Sequence, residues 1–288
     1  MNKVILLDKT EGLTSQQAVS LVKRRLGIKK AGHTGTLDPL ATGLLIVCTG
    51  EATKISRFLT DMPKKYETTI KFGERTDTFD SCGAVTATGS AWVDLKTLEE
   101  TLAQFLGKTR QLPPMYSALK KAGRPLYELA RQGIEVEREE REVEIGELKL
   151  LRFEPPFADL LVACSKGTYI RTLADDIGIK MGTFAHVTRL RRTAIGPFDV
   201  KDSARPEELD ARSAGFKASA FLELDEALGF LEEVNIEGRE LKRIQNGAPF
   251  RARVPLSGSI RIKDPEGKLL AIGEAVRGLV KIERLLHL

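Results

Sequence analysis

One segment of the chain places a single carboxylate inside a run of small and turn-forming residues: Gly32-His33-Thr34-Gly35-Thr36-Leu37-Asp38-Pro39-Leu40-Ala41-Thr42-Gly43. Glycine lets a backbone approach a ligand closely, and the cations Lys29 and Lys30 just upstream favour an ionised Asp38. An ionised carboxylate in such a loop can act as a nucleophile or a general base. The pattern alone also admits a structural role, with Asp38 capping the turn made by Pro39. Two phosphate-binding readings fail. No Gly-Lys-Ser/Thr follows, so this is not a Walker loop. The third glycine of a dinucleotide fingerprint is missing, and no βαβ unit surrounds it.

The flanking sequence indicates what positions this loop. Lys3 to Leu7 reads as a short buried strand. Thr14 or Ser15 can cap a helix whose apolar face is Ala18, Val19, Leu21, Val22 and Leu26, with Gly27 as its stop. Lys29 to Gly43 has no period and is expected to be a loop. Leu44–Cys48 is an apolar strand, Glu51–Leu59 a helix, and Tyr66–Phe72 alternates as a strand. Asp94 opens a helix with Leu95, Leu98, Leu102, Phe105 and Leu106 at helical spacing, ended by Gly107. Leu112-Pro113-Pro114 breaks the chain, and Pro125 opens a short helix that stops at Gly133. After the charge run Glu135–Glu144, strands are predicted at Val143–Phe153 and Asp159–Cys164. A helix follows to about Met181, then a strand at His186–Ala194. This order lacks a βαβ repeat. It predicts an α+β fold with a mixed, mainly antiparallel sheet and flanking helices.

Beyond Pro197 the pattern loosens. A helix at Ile236–Asn246, then Gly247, precedes short strand-like runs at Arg251–Val254, Ser259–Lys263, Leu269–Val276 and Val280–Leu285. Such runs suggest a small β-barrel. The expected boundary lies near Leu231, dividing the chain into residues 1–231 and 232–288.

Of the 288 residues, 42% are hydrophobic and 30% charged, as in a globular protein with a sizeable core. No apolar run approaches the roughly 18 residues of a membrane span. Val4-Ile5-Leu6-Leu7 is too short for a signal sequence, so a cytoplasmic protein is expected. Cys48, Cys82 and Cys164 are far apart and form no C-x-x-C pair. They are expected to be buried small residues, with neither a disulfide nor a zinc site. Net charge is +5, and Glu233 to Leu288 carries 11 Lys/Arg against 7 Asp/Glu. A basic module at one end suits a polyanionic partner, or is simply a solvated face.

The Gly32–Gly43 segment resembles the catalytic motif G-H-T-G-x-L-D-P-x-A-x-G of the TruB pseudouridine synthases. Other blocks agree in order and spacing across residues 1 to about 200. Lys65-Tyr66 resembles the K-x-Y strand, and Gly73–Asp80 the G-x-x-T-D-T-x-D segment. Pro114-Met115-Tyr116-Ser117-Ala118-Leu119-Lys120 resembles P-x-x-S-A-x-K. Cys164–Leu173 resembles C-S-x-G-T-Y-I-R-x-L, and Leu190-Arg191-Arg192 the L-R-R. The tail, Asn246-Gly247 and the strands after it, is similar to a PUA domain, the RNA-binding module usual in this family.

The resemblance implies a pseudouridine synthase fold and the isomerisation of uridine 55 in the T-loop of tRNA. Asp38 is then the catalytic carboxylate. The reaction breaks C1′–N1 and joins C1′ to C5 of the same base, so no cofactor or metal is expected. Whether the carboxylate attacks C1′, attacks C6 or abstracts a sugar proton stays open. Tyr66 is assigned to stack on the uracil, Arg171 to pair with Asp38, and Tyr169 and Leu190 to wall the base pocket. His33 is assigned to fill the stack vacated when the nucleotide flips out. On pattern alone Tyr66, Tyr169 and Leu190 could equally be core residues, and Arg171 a surface helix residue. Lys9 and Arg192 could reach phosphate or support the loop. Lys23, Arg24, Arg25, Lys29 and Lys30 could hold phosphates or form a solvated face. The insertion Gln111–Arg141 corresponds to the thumb of stand-alone enzymes. With the short N-terminus, it argues against a guide-dependent form, so action on the T-arm without guide RNA is expected; a monomer is expected as well. A guide-dependent relative and an RNA-binding module without turnover are the competing readings. The intact Asp38, Tyr66 and Arg171 argue against the last.

Overall fold

The computed structural model describes residues 1–210, 215–245, 248–252 and 256–287. Seven strands build most of one large sheet: β1 (Val4–Lys9), β2 (Thr42–Thr49), β3 (Lys64–Phe72), β4 (Gly107–Gln111), β5 (Arg141–Glu154), β6 (Phe157–Cys164) and β7 (Ala185–Ile195). With the short strand Phe221–Leu222 at one edge, the order is 221–222, β1, β2, β7, β3, β6, β5, β4. Within this path β2–β7 is parallel, through Arg191 opposite Thr42 and Arg192 opposite Gly43. The other neighbours pair antiparallel. The three longest helices beside the sheet are α1 (Ser15–Leu26), α2 (Leu95–Ala103) and α3 (Ile170–Lys180). The expected α+β class and mixed sheet are therefore present.

Local sequence explains the elements nearest the loop. Thr14 caps α1 and Gln17 returns the bond to the Thr14 N–H, while Gly27 closes the helix at φ 64°. β3 buries Lys64, Tyr66, Thr68, Ile70 and Phe72 and leaves the intervening residues half-exposed, as the period of two requires. β2, between β1 and β7, is buried from Gly43 to Thr49.

The parallel seam needs a glycine. Gly43 sits at φ +99°, and a Cβ there would lie 2.3 Å from the Arg192 carbonyl oxygen. Backbone cannot swing aside as a side chain can. Gly43→Ala is expected to cost roughly 3 kcal/mol or more, read as a fall in the urea midpoint. An unchanged midpoint would show that the seam tolerates separation.

Several expectations need correction. Ala31–His33 is not loop but a short strand, paired antiparallel with Thr49, Cys48 and Val47. The helix predicted at Glu51–Leu59 is a 3₁₀ stretch, Gly50–Ile55, followed by a short α-helix, Ser56–Thr60. Gly107 does not end α2, which stops at Ala103 with Gln104 as its cap and leaves Phe105 and Leu106 outside the helix; Gly107 starts strand β4. The charge run is partly strand, because β5 begins at Arg141. Cys82 is exposed rather than buried, whereas Cys48 and Cys164 are buried.

After residue 231 come β8 (Glu232–Asn235), α4 (Arg239–Gln245), β9 (Phe250–Arg251), β10 (Gly258–Lys263), β11 (Leu269–Val276) and β12 (Leu279–Leu285). Their sheet runs β8-β10-β11-β12-β9. Ile236, Ile244, Phe250, Ile260, Ile262, Ala271 and Val280 form a separate core. Asn246-Gly247 and the Arg253-Val254 end of a predicted strand lie outside the described residues. Leu269, Ile272 and Leu286 pack instead into the main core. Lys54 Nζ donates to the Leu285 carbonyl at 2.9 Å, and Arg57 pairs with Glu283. Arg261 and Lys263 are both engaged by Asp225 and Glu233. Part of the tail's basic charge is thus neutralised at this junction.

Candidate active site

Asp38 lies on the loop between the strand Ala31–His33 and β2. Short-range sequence cannot hold this loop, and the bracing comes from distant residues. Ser15 Oγ, at the start of α1, accepts from the Leu37 N–H at 2.8 Å and donates to the Leu37 carbonyl at 3.0 Å. Arg192, 1% exposed on β7, donates to the carbonyls of Leu44 at 2.7 Å and Gly35 at 3.1 Å. Lys9, fully buried on β1, donates to the carbonyls of Thr10, Leu13 and Pro39 at 2.9, 2.7 and 3.4 Å. Both side chains therefore support the loop.

Arg171 is the second residue of α3 and only 3% exposed. Its Nε donates to Asp38 Oδ2 at 2.8 Å and its Nη2 to Oδ1 at 2.9 Å. This planar fork fixes both carboxylate oxygens at once. The guanidinium also donates to the carbonyls of Thr78 at 2.7 Å and Tyr116 at 2.8 Å. Asp80 stands 3.6 Å from Nε and is itself held by Thr78 Oγ1 at 2.7 Å and the Cys82 N–H at 3.0 Å. Arg75, paired with Asp175 of α3 at 2.7 Å, ties this 75–80 segment to the helix.

Two cavities meet at Asp38. One, of about 370 Å³, is lined by Asp38, Tyr66, Tyr169, Arg171 and Leu190, with Lys64, Ser117 and Arg141. The other, of about 760 Å³, runs past His33, Tyr116, Tyr127 and Arg131 and shares Asp38, Ser117 and Arg171. Five of the six expected site residues therefore share one cavity. His33 does not; it lies in the adjoining groove, where its Nδ1 accepts from the Gly35 N–H at 3.4 Å. Burial, then the Arg192 charge, lowers the His33 pKa and favours neutral imidazole. Burial raises the Tyr66 pKa, so this phenol keeps its proton.

Sequence reasoning left several residues in and behind the cavity walls unassigned. Gln111 brackets Tyr169, accepting from its N–H at 2.8 Å and donating to its carbonyl at 3.0 Å. Asp80 sat inside a recognised motif without a role. The buried lysine of the K-x-Y strand is Lys64, not Lys65. Its Nζ donates to the carbonyls of Thr60 and Met62 at 2.5 and 2.6 Å.

Burial lowers Lys9 and Lys64 from 10.5 to about 8, and raises Cys48 and Cys164 from 9.0 to about 12 and about 11. Between pH 8 and 9 the unfolded chain holds lysine protons that the folded protein has released. Stability rises with pH where the unfolded state binds more protons. Above pH 9 the thiols oppose this, because the folded protein retains protons that the unfolded chain loses. The urea midpoint is expected to climb from about pH 7.5 to about pH 9 and to climb less in Lys64→Met. An equal climb in the variant would remove Lys64 from this account.

Among solved structures, the chain superposes with TM-score 0.75 on a chain of a Cbf5-Nop10-Gar1 complex, at 26% identity over 98% of this chain and 84% of that one. It superposes with TM-score 0.74 on a chain of an H/ACA RNP bound to a substrate RNA containing 2′-deoxyuridine, at 24% identity over 99% and 85%. This architecture is that of the pseudouridine synthases. Residues 23–170 match the N-terminal domain of the TruB family pseudouridylate synthases, and residues 171–233 the tRNA pseudouridylate synthase B C-terminal domain. A tRNA pseudouridine synthase B of Vibrio cholerae is 47% identical over 94% of this chain and 91% of that protein. One of Dechloromonas aromatica is 46% identical over 99% and 95%. The chain belongs to the TruB family and is an isomerase.

Proposed function

We propose that this enzyme converts uridine 55 in the T-loop of tRNA to pseudouridine, with Asp38 as the catalytic carboxylate. The observation that carries the reading is the Asp38–Arg171 fork, set where a nucleoside-sized cavity opens into a larger groove. The cavity suits a flipped uridine, with Tyr66, Tyr169 and Leu190 as its walls. The groove suits the T-arm. His33, neutral and flat within it, fills the stack left by the flipped base. Asp38 acts at the sugar–base junction while C1′–N1 breaks. The base turns, C1′ joins C5, and the C5 proton is exchanged for one on N1. Each atom of the product comes from the substrate.

Residues 1–231 form the catalytic unit in this reading, and 232–288 a PUA-like RNA-binding unit. The segment 111–141 reaches the site itself, since the Tyr116 carbonyl holds Arg171. This supports a stand-alone enzyme gripping the T-arm with its own insertion. The purified protein is expected to form pseudouridine in an isolated, unmodified T-arm hairpin at the position equivalent to uridine 55, mapped by mass spectrometry. No conversion until a guide RNA complex is added would transfer the chain to the guide-dependent reading.

A further inference from the structure

Three guanidinium groups line the cavity at Asp38, those of Arg141, Arg171 and Arg192. In Arg171 the Nε–Nη2 edge grips both carboxylate oxygens. In Arg141 the same two atoms, Nε and Nη2, are shielded from solvent and make no hydrogen bond among the described residues. Buried charge-bearing donors without an acceptor are costly. The Arg141 guanidinium carbon lies 4.7 Å from the centre of the Tyr169 ring. The chain at Gly167 packs beside it, since a Cβ there would stand in ordinary contact with Arg141 Nη1 at 3.4 Å. Arg141 stands opposite Gln111 across β4 and β5, and Gln111 fixes the Tyr169 backbone.

Lys64 adds an ammonium to the same cavity. An ammonium has three N–H donors, and two go to the Thr60 and Met62 carbonyls. Neither Arg141 nor Lys64 forms an ion pair among the described residues, whereas Arg171 has Asp38 and Asp80. Arg192, also without a carboxylate, donates to the carbonyls of Leu44, Thr36 and Gly35; Arg141 and Lys64 are two further cations of the cavity with no carboxylate of their own among the described residues.

We propose that Arg141, backed by Lys64, binds a phosphodiester flanking the target nucleoside. This rests on the proposed function above. The Nε–Nη2 edge of Arg141 is covered here, and a phosphodiester reaches it only once RNA entry uncovers it; uncovered, it matches two oxygens on one centre, as in a phosphate. Uracil does not match it, because its N3–H donor separates the O2 and O4 acceptors. The phosphodiesters are the anions that an RNA strand brings into such a site.

The test uses the full chain and T-arm hairpins carrying a single methylphosphonate, either 5′ or 3′ to the target uridine. For the wild type, one of the two neutral linkages should lower kcat/KM by about 10- to 100-fold, and the position affected identifies the phosphate. Arg141→Met should lose a similar factor on the native hairpin and then respond less than about 2-fold to that methylphosphonate. Arg141→Lys keeps the charge but not the fork and should not restore the wild-type rate. The proposal is overturned if neither linkage affects the wild type, if the losses in Arg141→Met multiply, or if Arg141→Lys behaves as wild type. Should Arg141→Met fail to fold, the two wild-type arms still decide whether a flanking phosphate is bound. Failure of the wild type on the native hairpin would instead sink the proposed function.

Discussion

Asp38→Asn is expected to leave no detectable pseudouridine, a loss of about 10⁴-fold or more, with tRNA affinity changed only a few-fold. Asparagine preserves the shape of the side chain but removes its charge and one acceptor. Its amide N–H groups would face the Arg171 Nε or Nη2, which now donate at 2.8 and 2.9 Å to the two oxygens. One of those bonds must break, and the remaining oxygen is too weak a nucleophile or base to act at the sugar–base junction. Binding should persist, because the walls and the groove are untouched. Product mapping and filter binding on one preparation separate the two effects. Turnover near the wild-type rate would falsify the role assigned to Asp38.

Arg171→Met should be nearly as severe and should also destabilise the fold. The side chain makes four hydrogen bonds, two to Asp38 and one each to the Thr78 and Tyr116 carbonyls. Asp80, almost buried, lies 3.6 Å from the same guanidinium. Without it, two carboxylates face each other with no cation between them, and two carbonyls lose their donor. Because the Asp38 carboxylate is 32% exposed, the cost stays at or below the low end of the about 3–5 kcal/mol of a fully buried pair. The rate should fall by about 10³-fold, because Asp38 loses its fixed orientation. Arg171→Lys should rescue little, since one ammonium cannot serve acceptors spread around a planar group. A variant with wild-type melting temperature and kcat would show that the fork is dispensable.

The sequence motif identified the loop, and five of six named side chains do share a cavity with it. What it could not convey depends on distant partners. Ala31–His33 becomes a strand only because β2 lies beside it. Gly107–Gln111 is polar and largely exposed, so it carries no alternating apolar signal. Lys9 and Arg192 looked like candidates for phosphate contact because charged residues are seldom fully buried. Their acceptors, the loop carbonyls, are invisible until the chain is folded. Arg141 was hidden at the end of a charge run, and the parity of β3 decides that Lys64, rather than Lys65, turns inward.

The parallel seam between β2 and β7 has a consequence for the order in which the protein is made. Thr42 and Arg191, its partners, are 149 residues apart, and Asp38 and Arg171 are 133 apart. Chains emerge N-terminus first and pair distant strands slowly. A nascent polypeptide that has released Asp38 and Tyr66 still lacks the guanidinium, the Leu190 wall and the Arg192 brace. The chemistry therefore cannot begin on a partly translated chain. It starts only when β7 has emerged and slid in beside β2, so the active site and the closure of the sheet are completed in one late event.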